Sequence, residues 1–271
     1  MFNLGFIGFG NMAEAITRGI RLNNKKIKIL AYDISKKQLK DARKFNVVSA
    51  KTECEVVNSC KIVILSVKPN DLSLVLETIK NDIKKSTVLL SLAAGFNIAT
   101  IEKIIGKKKI ARLMPNLPSA YGKGLTAIKF KNVKDIEINE IIKLLKMFST
   151  PMIIKKEDLF DSITSISGSG PAFFASYINA LLLFAEKSGF NKQESEVLIN
   201  QTLLGTLEYL KNSNIKPDKF IKMVSSPGGT TESGINNLRK SKFEKIILDT
   251  HIVAKNKSKE MQKKISGKER K

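Results

Sequence analysis

Tryptophan is missing from this chain of 271 residues, histidine occurs once and cysteine twice. A single imidazole, His251, and two thiols, Cys54 and Cys60, give little support to a zinc site or a Ser-His-Asp triad, and no metal is expected. Two cysteines six residues apart make no disulfide framework. Arginine is scarce too: of 47 basic residues, 6 are arginines and the other 41 lysines. The net charge of +22 draws polyanions without specificity. Arginine is the usual reader of phosphates and base edges, and no aromatic-rich basic stretch offers bases a stacking platform. No specific nucleic-acid partner is expected. The lysine-rich end, 255–271, reads as a solvated helical terminus. Apolar runs are short as well. The longest, Ala172 to Ala185, is interrupted by Ser176, Tyr177 and Asn179, so no run is expected to span a bilayer and no membrane partner follows. The sequence enters a strand at once, without a leader pattern, and a cytoplasmic protein is expected.

What is present is glycine in clusters. Ser167-Gly-Ser-Gly-Pro-Ala172 and Ser225-Ser-Pro-Gly-Gly-Thr-Thr231 combine glycines with hydroxyls. Glycine within a helix costs roughly 1 kcal/mol against alanine. Each cluster alone is explained by a tight interhelical turn. The two together, with the N-terminal motif below, point to bare amides approaching a small carboxylate.

At the N-terminus, Leu4, Phe6 and Ile7 form a short strand. Gly8-Phe9-Gly10-Asn11-Met12-Ala13 then opens a helix with Ala15, Ile16, Gly19 and Ile20 on one face. Gly8-x-Gly10-x-x-Ala13 thus stands between strand and helix, the context of a dinucleotide fingerprint. Gly8 makes the turn, Gly10 admits the pyrophosphate and Ala13 allows close helix packing. A second strand, Ile27 to Tyr32, ends at Asp33, an acid placed for the adenosine ribose. Ser35, Lys36 and Lys37 follow at a helix start suited to a phosphate. The residues disagree on the donor, and NADH is expected to serve with NADPH also accepted.

Further strands at 47–48, 61–66, 87–92 and 109–114 alternate with helices, which predicts a Rossmann-type doubly wound, mostly parallel sheet. Strands at 125–130 and 152–154 flank a helix over 135–148. From residue 158 onward only helices are read: 171–188, 194–211, 219–224, 232–238 and 243–262. The expected organisation is α/β, with a dinucleotide-binding domain over 1–157 and an all-helical dimerisation and substrate domain over 158–271. The helix over 171–188 is apolar around much of its girth, so a partner subunit is expected to cover it. Ligands in such folds bind at the carboxyl ends of the strands. Those ends carry Ser66-Val67-Lys68-Pro69, Ala93-Ala94-Gly95 and Asn116. Lys68 reads equally as a phosphate or ribose contact and as a solvated lysine.

With Arg112-Leu-Met-Pro-Asn-Leu-Pro118 and Ser-Val-Lys-Pro between the fingerprint and the two glycine clusters, the order of motifs resembles the Δ1-pyrroline-5-carboxylate reductases over nearly the whole chain. The resemblance implies reduction of a cyclic imine to L-proline with NADPH or NADH, and an intertwined helical homodimer or larger ring. It implies that Gly8 to Met12 hold the pyrophosphate and that Ser66 to Pro69 line the cofactor cleft. It puts Ala93 to Gly95 and Asn116 near the nicotinamide. Ser226, Gly228, Gly229 and Thr230 would surround the substrate carboxylate, Thr231 would bond the ring nitrogen, and Glu157 would line the same pocket. Glu53 and Met223 depart from asparagines common in the family, and Glu53 leaves cofactor preference open. Two other classes compete. Two-domain imine or 3-hydroxyacid dehydrogenases usually carry a lysine on the helix that here reads Ala172-Phe-Phe-Ala-Ser-Tyr-Ile-Asn179. A catalytically silent dinucleotide-binding regulator, or a polyanion binder, would not need the Gly-Gly-Thr-Thr loop.

Overall fold

Short runs of β-branched and large apolar residues, most of them followed by a helix, build an eight-stranded sheet in the computed structural model, which describes residues 2–268. The strands are β1 (Phe2–Ile7), β2 (Ile29–Tyr32), β3 (Val47–Ser49), β4 (Cys60–Leu65), β5 (Val88–Ser91), β6 (Lys109–Met114), β7 (Gly124–Lys131) and β8 (Ser149–Ile153). Their order is β3-β2-β1-β4-β5-β6-β7-β8. Every pairing is parallel except β6 with β7, which runs antiparallel. The expected mostly parallel, doubly wound sheet is therefore what forms. Side-chain alternation divides the core into two layers. Leu4 and Phe6 of β1 join Ile62 and Ile64 of β4 on one face, while Ile7, Val63 and Leu65 face the other.

Six helices cover these faces: α1 (Asn11–Asn23), α2 (Lys36–Arg43), α3 (Glu53–Ser59), α4 (Pro69–Ile79), α5 (Ile98–Ile105) and α6 (Asp135–Leu145). Their starts follow local chemistry. Ser35, Thr52 and Asn97 each accept an amide hydrogen bond as N-cap, at 3.4, 3.1 and 2.7 Å. Pro69 occupies the first turn of α4. Leu117–Tyr121 forms a 3-10 turn that sequence patterning does not reveal.

Beyond β8 the chain is helical from Glu157: a 3-10 turn over Glu157–Leu159, then α7 (Phe160–Ile163), a π-helical turn over Thr164–Gly168 and α8 (Gly170–Lys187). This corrects the expected apolar run. The stretch Glu157–Lys187, 31 residues, contains an 18-residue window of mean hydropathy 1.3, long and apolar enough by composition alone to cross a membrane. Then come α9 (Lys192–Ser213), α10 (Pro217–Val224), α11 (Thr230–Lys240) and α12 (Phe243–Lys268).

Contacts group the chain into two units, Met1–Pro171 with Val253–Lys271, and Ala172–Ile252. The first contains the whole sheet and the end of α12. In the second, His251 packs edge-on against Phe173, with ring centres 5.3 Å apart, and Tyr209 lies against Phe220. Among the described residues of that unit, only Ala185 and Ile199 are buried hydrophobics.

Candidate active site

Four strand ends and one helix start shape a cleft in the sheet unit. Gly8 follows β1 with φ +87, and a Cβ there would stand 2.8 Å from the Ser66 carbonyl and the Val67 amide. Only glycine permits that left-handed turn against a neighbouring backbone. Gly10, by contrast, faces open space with nothing within 4 Å of a Cβ position. It is the N-cap of α1 and carries no side-chain cap, so the amides opening that helix point at the opening. Gap, dipole and free donors suit a pyrophosphate. Ala13 is fully buried against the sheet. A cavity of about 190 Å³ continues past this point, lined by Met12, Ser66, Val67, Leu92, Met114 and Pro115. It lies at the carboxyl ends of the strands, next to the β1/β4 switch in strand order. A larger groove of about 580 Å³ opens at the amino-terminal ends of β1 and β4, rimmed by Lys26, Lys61 and Lys143. Ligands in this architecture use the opposite ends, so size does not make that groove the site.

Several expected residues hold each other. Asp33 accepts from the Phe9 amide at 2.7 Å with Oδ2 and from the Ser35 amide at 2.7 Å with Oδ1. Its carboxylate thus braces the glycine turn. Ser35 caps α2, and Lys36 and Lys37 beside it are exposed. Burial, then the charges of Glu53 and Asp33, push the Tyr32 hydroxyl above its ordinary pKa. Negative charge therefore gathers at the end of β2, with lysines just beyond. Asn11 and Lys68 are exposed at the margin, and Pro69 starts α4.

Ala93 and Gly95, in the β5–α5 turn, are buried, and Ala94 is half-buried. Asn116 is committed internally: its Nδ2 donates to the Ser167 carbonyl and Oγ at 3.2 and 3.1 Å, and its Oδ1 accepts from the Leu125 amide. A Cβ on Gly168 would stand 2.7 Å from Met114 Cε. The first glycine cluster thus serves close packing around Met114 and Asn116. Glu157 Oε1 accepts from the Ile98 amide at 2.9 Å and from Arg112 at 3.0 Å. Arg112 also lies over the Phe160 ring, 4.5 Å from its centre. Arg112 opens one of the sequence motifs but carries no assigned role there, and its place in a strand between apolar neighbours is the signal available.

The second glycine cluster lies in the helical unit. Gly229 is the N-cap of α11 and supplies no side-chain cap, so Thr230 and Thr231 stand in an open first turn. Gly228 has φ +70, and its amide donates to Glu232 Oε2 at 2.8 Å. Ser226 closes the turn through its carbonyl, which accepts from the Gly229 amide at 2.9 Å. Ser225 Oγ is buried without a hydrogen-bond partner. Neither thiol suits nucleophilic work. Burial pushes Cys60 up to about 12, and a hydrogen bond with Asp82 together with burial takes Cys54 to about 11. Among the described residues no cluster of His, Cys, Asp or Glu could hold a metal.

Sheet, glycine turn and cleft define a nucleotide-dependent oxidoreductase with a helical second part. Comparisons with known proteins narrow this further. Residues 157–261 match the family model "Pyrroline-5-carboxylate reductase dimerisation", and residues 3–95 match "NADP oxidoreductase coenzyme F420-dependent". The pyrroline-5-carboxylate reductase of Aquifex aeolicus is 34% identical over 248 residues, covering 91% of this chain and 92% of that protein. Pyrroline-5-carboxylate reductase 2 of Bacillus subtilis is 32% identical, covering 98% of each. The crystal structure of Plasmodium falciparum pyrroline carboxylate reductase with NADP bound superposes with a TM-score of 0.89 at 31% identity, over 96% of this chain and 98% of that one. The chain belongs to the pyrroline-5-carboxylate reductase family.

Proposed function

We propose that this protein reduces 1-pyrroline-5-carboxylate to L-proline in the cytoplasm, the last step of proline synthesis, with NADPH or NADH as donor. Residues 1–157 serve as the dinucleotide-binding domain, and 158–271 as the substrate and dimerisation domain of a homo-oligomer. The open start of α11, with glycine in the capping position, carries the substrate reading: the arrangement fits a small carboxylate, which profits from bare amides and the helix dipole.

On this reading Ser226, Gly228, Gly229 and Thr230 surround the substrate carboxylate, and the bare amides are those of the first turn of α11, since the Gly228 and Gly229 amides are bonded to Glu232 and Ser226. Thr231 places its hydroxyl on the ring nitrogen. A protonated imine is already an electrophile, so the protein's contribution is positioning. When bound, NAD(P)H would supply the hydride for the imine carbon, and the ring nitrogen would keep its proton as a secondary amine. The chain's own residues hold the donor. The α1 amides at Gly10, Asn11 and Met12 take the pyrophosphate, and Ser66 to Pro69 with Ala93, Ala94 and Asn116 line the remainder. Phe9 and Gly8 shape the turn, and Asp33 keeps it closed from behind. Ser35 and Lys36 stand where a 2′-phosphate would be met. Glu157, its carboxylate bonded to α5 and Arg112, serves the pocket by holding backbone in place.

Purified protein mixed with pyrroline-5-carboxylate and reduced cofactor should oxidise the cofactor and release proline. Cofactor binding without turnover would leave only the silent-regulator reading.

A further inference from the structure

The last described turns of α12 lie against the β5–α5 turn, and the proposed reaction gives them no task. Gly95 has φ +82, and a Cβ on it would stand 2.9 Å from Ile265 Cδ1 and 3.3 Å from both the Gln262 nitrogen and the Met261 carbonyl carbon. The helix backbone thus occupies the space next to where a side chain on Gly95 would stand. Ile265 also packs on the apolar cluster that contains Ala93, Phe96 and Ile98. Ser258 is one helical turn before Met261 and Gln262, and two before Ile265, on the same face. Its hydroxyl donates to Asp161 Oδ1 at 2.6 Å, and both residues are buried although 97 positions apart.

Asp161 closes a loop of contacts. Four residues earlier, Glu157 accepts the Ile98 amide, at the exit of the same β5–α5 turn. Between them, Phe160 lies under Arg112 of β6. One five-residue segment, 157–161, therefore grips the exit of the turn at one end and α12 at the other. An apolar pair would bury the helix about as well, because a buried hydrogen bond has a small net effect on stability. A directional bond between two buried groups instead fixes which turn of the helix backs Gly95.

We propose that residues 258–265 of α12 form a back wall for Ala93 to Gly95, with Ser258 and Asp161 as its latch, and that these two positioning residues set the nicotinamide geometry without touching substrate or cofactor. The proposal rests on the reading of the β5–α5 turn as part of the nicotinamide site. A loosened wall leaves the adenosine end of the cofactor held and lets the reacting end drift, and small misplacements at a reacting centre are costly in rate.

Two measurements test it. In the full-length protein without ligands, Ser258→Ala should speed amide hydrogen exchange over residues 93–98 by about tenfold. Ile265→Ala, which leaves the latch in place, should act in the same direction. In turnover, Ser258→Ala should lower kcat by about tenfold and enlarge the deuterium isotope effect with cofactor labelled at the transferred position. The KM for the cofactor should stay within about twofold. Asp161→Ala, which removes the acceptor, should match Ser258→Ala, whereas Asp161→Asn, which keeps a carbonyl acceptor for Ser258, should retain most of the activity. Unchanged exchange at 93–98 in folded Ser258→Ala and Ile265→Ala overturns the wall. Faster exchange with unchanged kcat and isotope effect overturns the positioning role. Faster exchange in a protein whose unaltered form never oxidises cofactor with pyrroline-5-carboxylate overturns the proposed function and leaves the wall standing.

Discussion

At the end of β2 one carboxylate serves two backbone amides, those of Phe9 and Ser35. That double use changes what Asp33 is expected to do for cofactor choice. A carboxylate that only read a ribose hydroxyl would, on removal, cost NADH and favour NADPH. A carboxylate that holds the glycine turn should cost both. Asp33→Ala is therefore expected to lower kcat/KM about tenfold with either donor, about 1.4 kcal/mol. Steady-state kinetics with both donors decide it, and opposite movements would return Asp33 to the ribose. Thr231→Ala should lower kcat/KM by roughly ten- to a hundredfold, about 1.4 to 2.7 kcal/mol, without loss of folding. An unchanged value in a well-folded variant removes Thr231 from the site. At this scale the sequence reveals residue types that follow from backbone need. Gly8 is legible because its turn excludes a side chain, and Gly10 because the fingerprint spacing keeps a gap open for a ligand. The distant partners of Asp33, Asn116 and Glu157 are not, because Phe9, Ser167 and Ile98 lie 24, 51 and 59 positions away and depend on how separate segments meet.

Among the elements, those with local causes are the ones that sequence patterning finds. Ser35, Thr52 and Asn97 announce α2, α3 and α5 by capping chemistry. The helical stretch before α8 has no such announcement. Thr164, Ser165 and Ile166 are poor helix formers, and the turn they build is π-helical. Tertiary bonds hold it, through buried Phe160 and Ile163 and through Asn116 on Ser167. Helix α6 offers a charge-based test. Glu137 is buried, pairs with Lys109 at 2.5 Å and accepts the amide of Lys134, the residue that opens α6. Burial alone would raise its pKa. The bonds from Lys109 and Lys134 and the charges of Lys109 and Lys61 outweigh burial, so the carboxyl sits below its ordinary value. A depressed carboxyl stabilises the fold fully above the ordinary carboxylate range, and the contribution is lost as pH falls through the folded value. Glu137→Gln should thus cost about 1 to 3 kcal/mol at pH 7 and progressively less below about pH 4.5. Urea midpoints at pH 7 and pH 4 read the difference. A gap that does not narrow with acid would assign the loss to packing rather than charge.

The molecule as a whole carries more apolar surface than one copy can bury. Phe174 and Phe184 on α8 are each 71% exposed, and Leu207 on α9 is 65% exposed. The unit from Ala172 to Ile252 buries almost none of its hydrophobic side chains, although its helices are long and regular. Nascent helices of this kind owe their stability to packing of an apolar face, so something must cover it. Lipid is one candidate by composition, since the Glu157–Lys187 stretch is apolar enough. The same residues open the segment matched by the dimerisation family model, 157–261, which makes a second copy of the chain the cover. The girth of α8 made this legible in the sequence, whereas the face used could not be read there, since apolar residues point nearly all round. Light scattering at micromolar concentration should find about 60 kDa or a multiple of it, twice the 30.1 kDa of the chain. A folded species of 30 kDa alone would refute the assembly. Where folding and association are one event, the urea midpoint also rises with protein concentration. Phe184→Glu puts a charge on the shared face without disturbing the sheet unit's own core. It should lower that midpoint and abolish its concentration dependence, while an oligomer of unchanged size would show that α8 faces away from the partner.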